Sequence, residues 1–221
     1  MITIALAEDH QPTLKRFADH FKYKEGFKVV TEAVNGHDLI LKINALQQLP
    51  DIVLIDINMP VIDGVAVTYY LKVHYPSVKL LALSNYSDED SLRTILLSGA
   101  DGFVMKALAE NVLAQAVTTV MNNTMFIDTR METNEQQLYF ILNKRKKRIE
   151  NDFGLTQREK TFIILNATSH SYEQIAATML VENKTIQTYF DRISKKLNVH
   201  SRQSLTVFSI QNGLAAVANY N

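Results

Sequence analysis

The 221-residue chain has no cysteine. That removes disulfides, thiolate nucleophiles and zinc–thiolate sites from consideration. It also lacks an unbroken apolar run of about 18 residues, the least a membrane-spanning helix needs. No basic stretch precedes a hydrophobic one at the N-terminus. Neither a membrane span nor a signal peptide is expected, and the expected location is the cytoplasm. Net charge is absent too, since 23 Lys and Arg balance 23 Asp and Glu. The balance is not uniform. Residues 1–122 carry 14 acids and 10 bases, leaving 9 acids and 13 bases for the remainder. An acidic front and a mildly basic back fit two modules with different partners. The basic excess is too small to establish nucleic-acid binding by itself. What the chain does have is a hydrophobic fraction of 47%, ordinary for a globular core.

The front module is organised around Asp51-Ile-Val-Leu-Ile-Asp-Ile-Asn-Met-Pro-Val-Ile-Asp-Gly64. Ile52 to Ile55 form a continuous apolar run, which suits a central parallel strand buried on both faces. The run ends in Asp56. Met59-Pro60 and Asp63-Gly64 mark a turn before the next helical pattern. Around this strand the same alternation repeats. Strands are expected at Ile2–Ala7, Phe27–Val34, Val78–Leu83 and Gly99–Met105, with amphipathic helices between and after them. Five strands alternating with five helices predict a doubly wound parallel sheet over residues 1–122.

In such a sheet the C-terminal strand ends share one edge, where open α/β sheets place their ligands. Glu8-Asp9, Asp56, Ser84 and Lys106 all fall at these ends. Three carboxylates gathered there repel unless a cation is present, and oxygen ligands suit Mg²⁺. Asp56 could attack a phosphoryl group in line and become an aspartyl phosphate. Mg²⁺ and the Lys106 ammonium would neutralise the equatorial oxygens, and the Ser84 hydroxyl could hydrogen-bond one of them.

With these residues in this order, the front module resembles the receiver domain of bacterial two-component response regulators, a flavodoxin-like fold. The resemblance implies that Asp56 is the phosphoacceptor. It implies that Glu8, Asp9, Asp56 and the Asn58 carbonyl hold Mg²⁺, with Lys106 assisting. It also implies that Ser84 and Phe103 are a switch pair. Asn85 departs from the small residue usual after the switch hydroxyl.

Residues 123–154 read as a connector, with an amphipathic stretch at 136–142 and the basic run Lys144-Arg-Lys-Lys-Arg148. From residue 155 the pattern is wholly helical. Thr156 and Glu159 have capping-box spacing, Ser171 is a candidate cap, and Asn183 opens a longer helix. A short helix, a tight turn and a longer helix suggest helix-turn-helix. Leu155-Thr156, Arg158-Glu159, Gln174-Ile175-Ala176, Lys184-Thr185-Ile186 and Lys196-Leu197 resemble the LuxR-type DNA-binding domain. Ser169, Glu182 and Tyr189 depart from it. The whole chain then looks like a NarL/FixJ-type response regulator.

The resemblance implies a regulator rather than an enzyme. A sensor histidine kinase would phosphorylate Asp56, the phosphorylated protein would pair as a homodimer, and double-stranded DNA would be the output. Lys184, Thr185, Gln187, Thr188, Asp191, Lys195 and Lys196 are the candidate DNA contacts. Asp191 is placed either on a cytosine amine or in an ion pair with Lys195 four residues on. Leu205, Val207 and Phe208 are expected to add a symmetric dimer contact. Two other readings compete. The C-terminal module could serve protein interaction without useful DNA affinity. The front module could be a phosphatase, which Asn58 disfavours because a second acid would be wanted there.

Overall fold

The computed structural model describes residues 1–85, 89–128, 138–139, 142–143, 153–167 and 170–212. Strands β1 (Ile2–Ala7), β2 (Phe27–Ala33), β3 (Ile52–Asp56), β4 (Lys79–Ser84) and β5 (Gly102–Met105) alternate with α1 (Gln11–Lys22), α2 (Gly36–Ala45), α3 (Gly64–His74), α4 (Glu89–Ser98) and α5 (Ala109–Met121). Every strand pairing is parallel. β3 is central and all five of its residues are buried, as the apolar run requires. Each aliphatic side chain buried there contributes roughly 1.5–3 kcal/mol. One face of the sheet packs Leu14, Phe17 and Phe21 of α1 against Leu113 and Val117 of α5. The other face carries α2 and α3.

The sheet has six strands, in the order β2-β1-β3-β4-β5-β6, not the expected five. β6 (Phe126–Ile127) lies in the segment taken for connector. It runs parallel to β5, with Gly102 opposite Phe126 and Phe103 opposite Ile127. A Cβ at Gly102 would stand 2.9 Å from the Phe126 carbonyl oxygen, so only glycine lets the added strand come this close. The expected amphipathic stretch at 136–142 and the basic run at 144–148 fall largely outside the described residues.

Local chemistry sets the helix starts. Asn35 Oδ1 accepts from Asp38 N at 2.8 Å at the head of α2. Asp63 Oδ1 accepts from Ala66 N at 2.7 Å at the head of α3. The C-terminal helices are α6 (Gln157–Asn166), α7 (Tyr172–Met179), α8 (Asn183–Leu197) and α9 (Arg202–Gln211). Thr156, Ser171 and Ser201 each close a capping box, satisfying donors that a helix start leaves open. Leu180, at φ 53°, makes the left-handed turn between α7 and α8. Phe162, Ile175, Ile186, Ile193 and Leu205 form the centre of this unit.

Two features were not foreseen. First, α3 packs on α6, so the two halves share a joint. Gln157 Nε2 donates to the Val73 carbonyl at 3.0 Å, and His74 Nε2 lies 2.8 Å from Thr161 Oγ1. The His37 and His170 rings meet across the same joint with centroids 6.2 Å apart. Second, α9 offers less open apolar surface than expected. Leu205 is fully buried in its own domain, and Phe208 meets Phe153 edge-on at 5.3 Å. Val207 alone of the three is exposed.

Candidate functional site

The parallel register brings the expected site residues to one edge. Asp56 ends β3 opposite Leu83, one residue short of Ser84 on β4. Ser84 pairs with Met105, which directly precedes Lys106. Glu8 and Asp9 follow β1. Lys106 Nζ stands 2.8 Å from Glu8 Oε2 and 2.9 Å from Asp56 Oδ2, with all three side chains nearly inaccessible. Asp56 Oδ1 accepts from Asn58 N at 3.3 Å, and Glu8 Oε1 from His10 N at 3.2 Å.

Electrostatics set this cluster apart from a simple ion pair. Glu8, Asp9 and Asp56 each offer a carboxylate oxygen within 4.8 Å of the others. Three carboxylates against one ammonium leave two negative charges in excess. Glu8 Oε2 is buried and receives no directed hydrogen bond, although the ammonium stands beside it. An all-oxygen cluster with this excess, one oxygen open and Asp9 exposed to solvent, fits a hard divalent cation. Burial pushes the Asp56 carboxyl up to about 6; Lys106 draws it down and Glu8 adds to the rise.

Ser84 and Phe103 are both fully buried. Phe103 packs among Ile57, Val65, Ala82 and Leu92, two strand residues from Met105. Asn85, next to Ser84, is exposed. The edge itself comes close to the backbone. A Cβ at Gly64 would sit 2.1 Å from the Asp56 carbonyl oxygen, and Gly64 N donates to the Ile57 carbonyl at 2.8 Å.

In the C-terminal unit, α8 turns Lys184, Gln187, Thr188, Asp191 and Lys195 outward, while Thr185 is half-buried. Lys184 pairs with Glu182 at 2.7 Å on the surface. Lys196 departs from expectation. Its ammonium lies 2.7 Å from buried Glu159 Oε2 and donates to the Gly154 carbonyl at 2.7 Å. It ties α8 to the head of α6 rather than standing free for phosphate. Asp191 also finds a different partner: Gln187 Nε2 donates to its Oδ1 at 2.9 Å. Exposed Arg192 shares the outer face and was missed, although it lies four residues beyond Thr188.

A buried carboxylate at the end of a central parallel strand, beside an acid pair and a lysine, in a sheet of alternating strands and helices, defines a module of the receiver class, joined here to a helix-turn-helix unit. The chain belongs to the response regulator receiver domain family, whose model matches residues 4–118. Residues 154–209 match the family described as bacterial regulatory proteins, luxR family. Both are regulatory modules rather than enzymes. The chain is 27% identical to response regulator protein VraR of Staphylococcus saprophyticus over 213 residues, 96% of this chain and 98% of that protein. It is 28% identical to transcriptional regulatory protein DegU of Brevibacillus brevis over 228 residues, 98% of this chain and 96% of that protein. A solved RcsB response regulator from Salmonella typhimurium matches with a TM-score of 0.52 at 23% identity, over 94% of this chain and 97% of that one. At that identity the structural likeness shows the fold alone.

Proposed function

We propose that Asp56 accepts a phosphoryl group from a partner histidine kinase, and that this controls binding of the C-terminal helices to double-stranded DNA and so transcription. The observation that carries the proposal is the single ammonium of Lys106 held between two buried carboxylates, Glu8 and Asp56. In that setting Asp56 Oδ2 attacks the phosphorus in line and the kinase imidazole leaves. Lys106 then transfers its pairing from the carboxylate to the new phosphoryl oxygens, and Ser84 donates its hydroxyl to another. Mg²⁺ held by Glu8, Asp9, Asp56 and the Asn58 carbonyl would supply charge neutralisation at those oxygens. Loss of the Lys106–Asp56 contact, together with Ser84 and Phe103, is the origin of the signal. Pairing of two phosphorylated copies would place two C-terminal units on DNA half-sites.

The DNA reading draws support from the match to the luxR family and from relatives named as transcription regulators. RcsB has been solved in complex with DNA. Under this reading Lys184 and Lys195 reach phosphates, while Gln187, Thr188 and Asp191 face the bases and Thr185 flanks them. A second reading, protein interaction as output, is favoured by the acids on the outer face, Asp191 and the Glu182 that already pairs with Lys184.

Acetyl phosphate with Mg²⁺ should add one base-labile phosphoryl group to the intact mass, and Asp56→Ala should abolish it. Lys106→Ala should still label, yet transmit poorly. Labelling that survives Asp56→Ala would show that the nucleophile is another residue. A salt titration of duplex binding separates the two outputs. A steep fall of affinity with salt supports DNA, and a flat, weak response supports protein interaction.

A further inference from the structure

The hydrogen bond between Gln187 and Asp191 has a consequence for which base pairs this chain prefers. The two residues stand four apart on α8 and so share one face. Gln187 Nε2 donates to Asp191 Oδ1 at 2.9 Å. A carboxylate can only accept, so the contact fixes how the Gln187 amide is turned: nitrogen toward Asp191, carbonyl oxygen away from it. Both side chains are exposed, as are Thr188 and Arg192 beside them. Val73 and His74 of the receiver bond to Gln157 and Thr161 of α6.

We propose that Asp191 is a positioning residue that presets Gln187 to read adenine. This rests on the reading of α8 as the DNA-recognition helix. The Gln187 amide has two N–H bonds. The one pointing back along the side chain is the one a neighbour on the same helix can reach. The other stays beside Oε1, and together they present a donor and an acceptor side by side. In the major groove adenine offers the complement, the N7 acceptor and the N6 amine donor. An unrestrained glutamine would lose rotamer freedom on binding and could turn its amide either way. Asp191 removes both possibilities before DNA arrives. The carboxylate also opposes the phosphate field, so it lowers affinity for every sequence while sharpening the choice among them. That explains an acid placed among Thr188, Arg192 and Lys195 on this face.

The test is selection of bound sequences from random duplexes, using the full-length protein with Mg²⁺ and beryllofluoride. The wild type should prefer adenine at one base pair of each half-site. Asp191→Ala should cut that preference by roughly three- to tenfold while raising affinity for unrelated duplexes. Asp191→Asn keeps an amide oxygen that can accept from Gln187, so it should retain most of the preference without the charge. Gln187→Ala should erase the preference, and adding Asp191→Ala to it should change no base preference further. Four results would overturn the proposal. One is Asp191→Ala raising affinity equally for all duplexes with adenine preference intact. Another is loss of a cytosine preference instead, which would mean that Asp191 contacts a base directly. The third is no base preference in the wild type at any position, which overturns the DNA reading as well. Preference elsewhere but none that depends on Gln187 overturns this inference alone.

Discussion

His74 on α3 and Thr161 on α6 are joined by a 2.8 Å hydrogen bond across the two domains. Thr161 Oγ1 already donates to the Gln157 carbonyl at 3.0 Å, so it must accept from His74, and the His74 Nε2 carries the proton. Burial lowers the His74 pKa below its ordinary value. His170, at the same joint, is lowered by burial, then by His37 and Arg202. Tyr70 on the same helix and Tyr75 just past its end flank His74.

A docked state that depresses a histidine pKa holds fewer protons than the separated state. Docking is therefore fully favoured above the free value of 6.5 and weakens as pH falls through it. The scattering radius of the unphosphorylated protein should grow between pH 7.5 and about 5.5. His74→Gln can still donate to Thr161 but cannot charge, so its radius should respond less. A radius in the wild type that stays constant over that range would sink this account of the joint.

Asp56 obeys the opposite sign. Its carboxyl is raised from 3.8 to about 6, chiefly by burial, so the folded state holds the proton more tightly than the unfolded one. The ionised form thus costs stability above about pH 6, and the cost fades as pH falls toward 3.8. A shift of that size corresponds to about 3 kcal/mol, reduced in practice because Asn cannot pair with Lys106. Asp56→Asn should then be more stable than the wild type at pH 7.5 without Mg²⁺, by about 1–3 kcal/mol. The gain should fall to about half by pH 5 and shrink when Mg²⁺ is added. Denaturant titrations at the two pH values measure it, and an equally stable pair of proteins at pH 7.5 would refute the assigned burial cost.

Much of this was legible in the sequence because it is local. The β3 run, its terminal Asp56 and the capping spacings of Thr156 and Ser171 each lie within a few residues. What was illegible depends on distant partners. β6 is two residues long and forms because Gly102 leaves room for it. The joint pairs His74 with a residue 87 positions away, and no periodicity encodes that. Asp191 was expected on a cytosine amine or in an ion pair with Lys195, whereas the folded chain pairs it with the Gln187 amide.

Lys196 shows how a buried acid redirects a surface cation. Burial alone would raise the Glu159 carboxyl, but hydrogen bonds from Lys196 and Thr156 outweigh it and hold the pKa below its ordinary value. The ammonium is partly exposed, so screening tempers its contribution. Lys196→Ala should cost about 1–2 kcal/mol, mainly because it strips a buried carboxylate of its cation. The dependence of duplex binding on salt should not change in slope. Lys195→Ala should do the reverse, leaving stability alone and lowering the slope by about one. A slope that falls equally for both variants would return Lys196 to the DNA face.

Gly64 places a second demand on the sheet edge that carries Asp56. A Cβ there would meet the Asp56 carbonyl oxygen at 2.1 Å and the Ile57 Cα at 2.9 Å. Both are backbone atoms of the strand end that carries Asp56, so neither can swing aside as a side-chain tip would. Gly64→Ala must push α3 away from β3 or displace Asp56 from Lys106. The overpacking should cost about 1–3 kcal/mol, and the rate of labelling by acetyl phosphate should fall even where the protein remains folded. Gly26→Ala supplies the control. Gly26 has φ +87°, and a Cβ there would meet nothing within 4 Å, so its strain is confined to a turn remote from Asp56. That variant should lose about 1 kcal/mol and label at the wild-type rate. Labelling of Gly64→Ala as fast as that of Gly26→Ala would mean that the strand end tolerates the collision and that the β3–α3 turn does not hold Asp56 in place.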